Sequence, residues 1–117
     1  MEITVQTRHL DIPDQLRQAA IEKAKHLERF LDGTQTAEVV FSRDHAARDD
    51  EYVTCEIVVM ARGRSVRVRA SGHLAKDALE AAMSKEALRL TRMQDRLVHR
   101  SRPRHRTPGQ QPTELLD

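Results

Sequence analysis

The 117-residue chain is 38% hydrophobic and 32% charged with a formal net charge of +2, enough for one domain with a single core and too little for two. Its only cysteine, Cys55, excludes an intrachain disulfide and a cysteine-built zinc site. The longest apolar run, Ile57 to Ala61, is far too short to span a bilayer, and the start Met1-Glu2-Ile3-Thr4-Val5 lacks the basic and apolar stretches of a signal peptide, so a cytoplasmic protein is expected.

Glu2 to Thr7 alternates, with Ile3 and Val5 on one side, which predicts a half-buried first strand. Leu10-Asp11-Ile12-Pro13-Asp14 reads as a helix start, with Pro13 in the first turn and Asp14 at the positive end of the dipole. Leu16, Ala20, Ala24, Leu27 and Leu31 recur at helical spacing and Gly33 is a stop, so a first helix is predicted over residues 13–32. Ala37 to Ser42 predicts a second strand, Arg43 to Glu51 a charged loop, and Tyr52 to Ala61 a long third strand rich in β-branched residues. Arg62-Gly63-Arg64 makes a tight connection to a fourth strand over Ser65 to Ala70.

A second helix is predicted from Leu74 to about His99, and it carries two stripes. At 100° per residue, Leu79, Met83, Leu90, Met93 and Leu97 share one arc, the side that faces the core. Lys85, Arg89, Arg92, Arg96 and Arg100 share a second arc to one side of it, a basic ridge. Glu86 falls inside the apolar arc, where a salt bridge at the helix margin is the expected explanation. From Ser101 to Asp117 the periodicity stops and prolines and polar residues prevail, which predicts a domain over 1–100 followed by a disordered tail over 101–117. The order β-α-β-β-β-α is an α+β arrangement, most economically one four-stranded sheet with both helices packed on one face. Its other face is left open to solvent or to a partner.

The small net charge hides an asymmetry. Residues 1–60 hold 7 basic and 12 acidic side chains, whereas residues 61–106 hold 13 basic and 4 acidic, and 11 of those 13 are arginine. Such a segment attracts polyanions, and arginine suits phosphate better than mere solubility requires. On the fourth strand Arg67 and Arg69 alternate with Val66 and Val68, so the valines face the helices and the arginines face out. A solvated, aggregation-resistant edge would explain that strand alone, but it explains the helix ridge less well. Lys23, on the first helix, lies close to the apolar stripe. There it either snorkels along the core edge or emerges beside the second helix and joins the ridge.

Catalysis finds little support. There is no Gly-rich phosphate loop, nucleophile elbow or His-Glu-x-x-His, and the histidines at 9, 26, 45, 73, 99 and 105 show no metal-ligand spacing. His73 with Asp77 reads as a helix-start feature, and Cys55 as an inert core thiol. No enzyme, cofactor, metal or small-molecule substrate is expected. Tyr52 is the sole candidate for base stacking, and Gln94 the sole amide on a basic helix that has no helix-turn-helix partner. Recognition of folded RNA through phosphate and shape remains.

These residues resemble the bacterial ribosome hibernation-promoting factors, also called ribosome-associated translation inhibitors, over about residues 2–100. The resemblance rests on Leu10-Asp11-Ile12-Pro13-Asp14-Gln15-Leu16-Arg17, on Glu22-Lys23-Ala24 with Leu27-Glu28-Arg29-Phe30, on Arg62-Gly63 and Ala70-Ser71-Gly72, and on Ala78-Leu79-Glu80 with Lys85 and Arg89. It implies a fold similar to double-stranded-RNA-binding domains. It also implies binding to the small ribosomal subunit and its rRNA in the channel for messenger and transfer RNA, with translation blocked sterically. By position, Lys23, Lys85, Arg89, Arg92 and Arg96 are the implied RNA-binding residues; Arg67, Arg69 and Arg100 are added from the strand and ridge patterns. The stretches Leu74-Ala75-Lys76-Asp77 and Glu86-Ala87-Leu88 depart from the family's pattern. The resemblance further implies a short form without the second, dimerising domain, or a piece of a long form cut at its linker, and a protein that is monomeric alone. Two rivals stand beside this reading. One is a stand-alone structured-RNA or ribosome-assembly protein, the other a protein-interaction module that docks an acidic partner on its ridge.

Overall fold

Alternating apolar residues and one helical stripe generate the first half of the fold, and a tight hairpin with a long helix generates the second. The computed structural model describes residues 1–43 and 52–101. Strand β1 (Glu2–Arg8) leads into helix α1 (Asp14–His26), a 3-10 turn over Leu27–Phe30, and strand β2 (Thr34–Ser42). Strands β3 (Val53–Ala61) and β4 (Arg64–Gly72) and helix α2 (Ala75–Ser101) complete the order β-α-β-β-β-α. The predicted loop beyond Arg43 and the predicted tail beyond Ser101 lie outside the described residues.

The sheet has the order β1-β2-β3-β4. β1 and β2 run parallel, from Glu2↔Thr36 to Arg8↔Ser42, while the β2–β3 and β3–β4 pairs are antiparallel. A parallel pair needs a crossover, and α1 supplies it. Both helices cover one face. Ala37, Val39 and Phe41 of β2, alternate residues from Val53 to Ala61 of β3, and Val68 and Ala70 of β4 meet Ala20, Ala24, Leu27 and Leu31 on one side, and Leu79, Met83, Leu90 and Met93 of α2 on the other. Cys55 is fully buried in this core, and burial pushes its thiol up to about 12, which keeps it protonated and inert.

The elements differ from the predicted ones at their ends. Pro13 precedes the first helical residue instead of occupying the first turn: its backbone is extended, and its carbonyl accepts from the N–H groups of Leu16 and Arg17. The predicted helix over 13–32 becomes α-helical only to His26 and then tightens, a common way to satisfy terminal carbonyls. The β3–β4 loop consists of Arg62 and Gly63 alone, at φ 54 and 77. Two consecutive positive φ values match the twist of a two-residue hairpin, and the Arg62 Nε, donating to the Asp32 carbonyl at 3.2 Å, holds the non-glycine member there.

Glu86 corrects the expectation of a marginal salt bridge. Its residue is 0% exposed, and neither carboxyl oxygen has a hydrogen-bond partner among the described residues. Burial pushes the carboxyl up to about 8, against the opposing pull of the Arg89 charge and of the Val59 backbone. At neutral pH it is therefore mainly the neutral acid, the form a low-dielectric core accepts.

Candidate nucleic-acid interface

Because β4 is an edge strand, every second residue turns its backbone carbonyl away from the sheet. α2 lies along that edge with its basic ridge outward. Lys85 Nζ donates to the Arg69 carbonyl at 2.9 Å, and an Arg89 terminal guanidinium N–H to the Arg67 carbonyl at 3.4 Å. On the opposite edge Arg17 donates to the Val5 carbonyl at 3.0 Å. Cations from the helices thus cover both edges, which blunts strand-to-strand aggregation and fixes the ridge against β4.

Two hollows open between α2 and β4. One, of about 450 Å³, has four arginines in its lining: Arg64, Arg89, Arg92 and Arg96. The other, of about 490 Å³, is lined by Arg67, Arg69, Lys85, Arg89 and Arg92 around Val68 and Leu88. Among the described residues no carboxylate lines either. Concave surfaces of one sign focus the field and favour anions, and guanidinium groups present paired donors to phosphate oxygens. Leu88, 51% exposed amid these cations, adds an apolar spot suited to a sugar or base.

The structure brings Lys85, Arg89, Arg92, Arg96, Arg67 and Arg69 together and leaves Lys23 apart. Lys23 is exposed but lies in a separate cleft between the helices, with His26, Phe30, Glu80 and Ser84. It sits on the flank of α2 away from the ridge. The side chain of Arg100 falls outside the described residues. Arg67 is partly neutralised by Glu56 at 3.1 Å, whereas no ion pair engages Arg69 among the described residues. Gln94, the one candidate base reader, is spent on structure: its amide accepts from the Asp32 backbone N–H at 3.1 Å and donates to the Asp32 carboxylate at 3.3 Å. Sequence reasoning missed Arg64. Strand parity could have found it, because Arg64 shares the helix-facing side with Val66 and Val68 just beyond the core.

Among the described residues no three His, Cys, Asp or Glu side chains group to hold a metal ion, and no helix is long and apolar enough to cross a membrane. Residues 3–98 match the family model of the Sigma 54 modulation protein / S30EA ribosomal protein family. The chain belongs to that family. The resemblance to ribosome hibernation factors drawn from the sequence agrees with this membership. The fold of this S30EA-family protein is also that of the N-terminal domain of Protein Y from Thermus thermophilus (TM-score 0.66, 28% identity, 80% of this chain and 99% of that one). It is likewise shared with a ribosomal subunit interface protein from Coxiella burnetii (TM-score 0.65, 18% identity, 80% and 97% coverage). No curated protein matches the chain.

Proposed function

We propose that this S30EA-family protein is a cytoplasmic, non-catalytic translation inhibitor. It binds the small ribosomal subunit in the channel for messenger and transfer RNA, with rRNA phosphates seated on the α2–β4 surface. The observation that carries this reading is the pair of carboxylate-free hollows lined by Arg64, Arg67, Arg69, Lys85, Arg89, Arg92 and Arg96. Rows of fixed cations on a rigid helix and strand suit a folded RNA backbone, and family membership supplies the ribosome. Inhibition is steric: an occupied channel admits no substrate, and no covalent step is needed. Lys23 contributes from a second site, the cleft between the helices, where it meets RNA independently of the ridge.

Co-sedimentation with purified bacterial ribosomes at low and high salt tests this. Wild type should pellet with ribosomes at low salt and be released at high salt, and Lys85→Glu/Arg89→Glu/Arg92→Glu should remain in the supernatant. Lys85 and Arg89 also hold the edge of β4, so Arg92→Glu/Arg96→Glu serves as the variant that leaves those two hydrogen bonds intact. It too should lose binding. If wild type stays at the top of the gradient even at low salt, the ribosome is not its partner.

A further inference from the structure

The open face of the sheet carries an aromatic pair that the phosphate-binding surface does not use. The rings of Tyr52 and His73 stack with centroids 4.5 Å apart and planes 29° from parallel. The β3–β4 register explains why they meet. Val53 pairs with Gly72, so the next pair outward is Tyr52 with His73. By strand parity both belong to the face away from the helices, with Thr54, Ser71, Glu56, Arg67 and Arg69. The Thr54 and Ser71 hydroxyls hydrogen-bond at 3.1 Å directly beneath the rings.

Three features set this pair apart. Tyr52 is 43% exposed and His73 is exposed as well, although a stack of this kind ordinarily shelters in a core or interface. The chain has only three Phe or Tyr residues and no Trp, and Phe41 is in the core with Phe30 packed against it, so its one remaining large ring is placed at the surface. Third, the rings share a strand face with Arg69, four residues from His73, or about 14 Å at ~3.4 Å per residue. An exposed ring stack, in line with a cation that no acid engages among the described residues, is the equipment of a single-strand binder: one part takes a base, the other its backbone.

We propose that Tyr52 and His73 form a stacking platform for an unpaired nucleobase of RNA, with Arg69 holding a phosphate of the same strand. This rests on the RNA-binding reading above and extends it. The α2–β4 hollows grip backbone on the helix side of the edge, and the platform takes an unstacked base on the other side, so one RNA strand wraps the β4 edge. Glu56 stands opposite Arg69 in the register but pairs with the diagonal Arg67 at 3.1 Å, so a phosphate on Arg69 displaces no existing ion pair.

The chain provides its own reporter, since Tyr52 is its only tyrosine and tryptophan is absent. Tyrosine emission of the full chain should be quenched on titration with a short single-stranded oligoadenylate. An abasic oligonucleotide of equal length and charge should leave it unchanged. Read by the fluorescence anisotropy of an end-labelled oligoadenylate, since both variants lack the tyrosine, Tyr52→Ala should weaken binding roughly 5- to 150-fold, the equivalent of about 1–3 kcal/mol per stacked base, while Tyr52→Phe, which keeps the ring, should bind as wild type does. Equal binding of Tyr52→Ala and wild type, or equal quenching by the abasic strand, would overturn the platform. Ribosome pelleting separates this from the broader reading. Wild type that pellets while Tyr52→Ala shows unaltered oligoadenylate affinity sinks the platform alone, and wild type that never pellets sinks the ribosome reading while the oligonucleotide titration still decides the platform.

Discussion

Glu86 takes a position on α2 whose neighbours along the buried seam, Ala82, Met83, Leu90 and Met93, are all apolar. Its carboxyl oxygens make no close hydrogen bond among the described residues, and the Arg89 charge and Val59 backbone only partly offset its burial, so the physical consequence is a pH dependence of known sign. The unfolded chain releases this proton near 4.5 and the fold holds it to about 8. Between those values the native state binds the extra proton, so stability falls as pH rises from about 4.5 to about 8, by up to roughly 1.4 kcal/mol per pH unit, and the contribution is flat above. Glu86→Leu should therefore be more stable than wild type by about 2–3 kcal/mol at neutral pH. Urea midpoints of the two proteins between about pH 5 and pH 8 should diverge as pH rises. A gap that stays constant would mean that the carboxyl is already ionised within the fold. The same residue shows why the sequence misleads here. A glutamate in an apolar arc reads as a margin residue, and only the seating of α2 on the sheet decides that it is enclosed.

At the scale of elements, the β3–β4 hairpin fixes the register on which both proposed RNA-binding surfaces depend. A slip of β4 by one residue would turn Arg67, Arg69 and His73 to the core side and separate His73 from Tyr52. Gly63, at φ 77 with open space around the position of a Cβ, tests the turn without steric interference. Gly63→Ala should cost about 1–2 kcal/mol from backbone strain alone. Gly63→Asn should cost less, because asparagine tolerates the left-handed region, and thermal melts of the two variants should rank in that order. Helix α2 serves two masters through its spacing: one stripe is buried and the other lines the hollows. Both were legible in the sequence because they depend only on the 3.6-residue repeat. Lys23 was not, because its place relative to the ridge depends on how α1 and α2 lie beside each other.

For the molecule as a whole, the charge asymmetry of the sequence becomes a surface asymmetry, since β4 and α2 carry the basic half of the chain to one edge. Binding through that edge should follow counterion release. The logarithm of affinity for ribosomes or structured RNA should fall linearly with the logarithm of salt concentration. Arg92→Gln/Arg96→Gln should flatten the slope by about 1–2, at roughly 0.7–0.9 for each phosphate left without its arginine. Tyr52→Ala should lower affinity at every salt concentration and leave the slope unchanged, because stacking releases no counterions. A salt-independent affinity would instead favour a protein-interaction surface over a phosphate-binding one.

Element order, a tight connection beginning at Arg62-Gly63 (shortened in the structure to those two residues, with Arg64 already in β4), the division of α2 into an apolar and a basic stripe, and the arginine-rich chemistry of the second half were all determined by the sequence itself. Each depends on residues a few positions apart, where periodicity and local sterics suffice. Tertiary structure alone decided that Glu86 is enclosed, that Glu56 pairs with the diagonal Arg67 and not with Arg69 opposite it, that Lys23 lies in a cleft apart from the ridge, and that Tyr52 stacks on His73. Those facts join residues distant in the chain, and strand register and helix seating, which no local pattern encodes, bring them together.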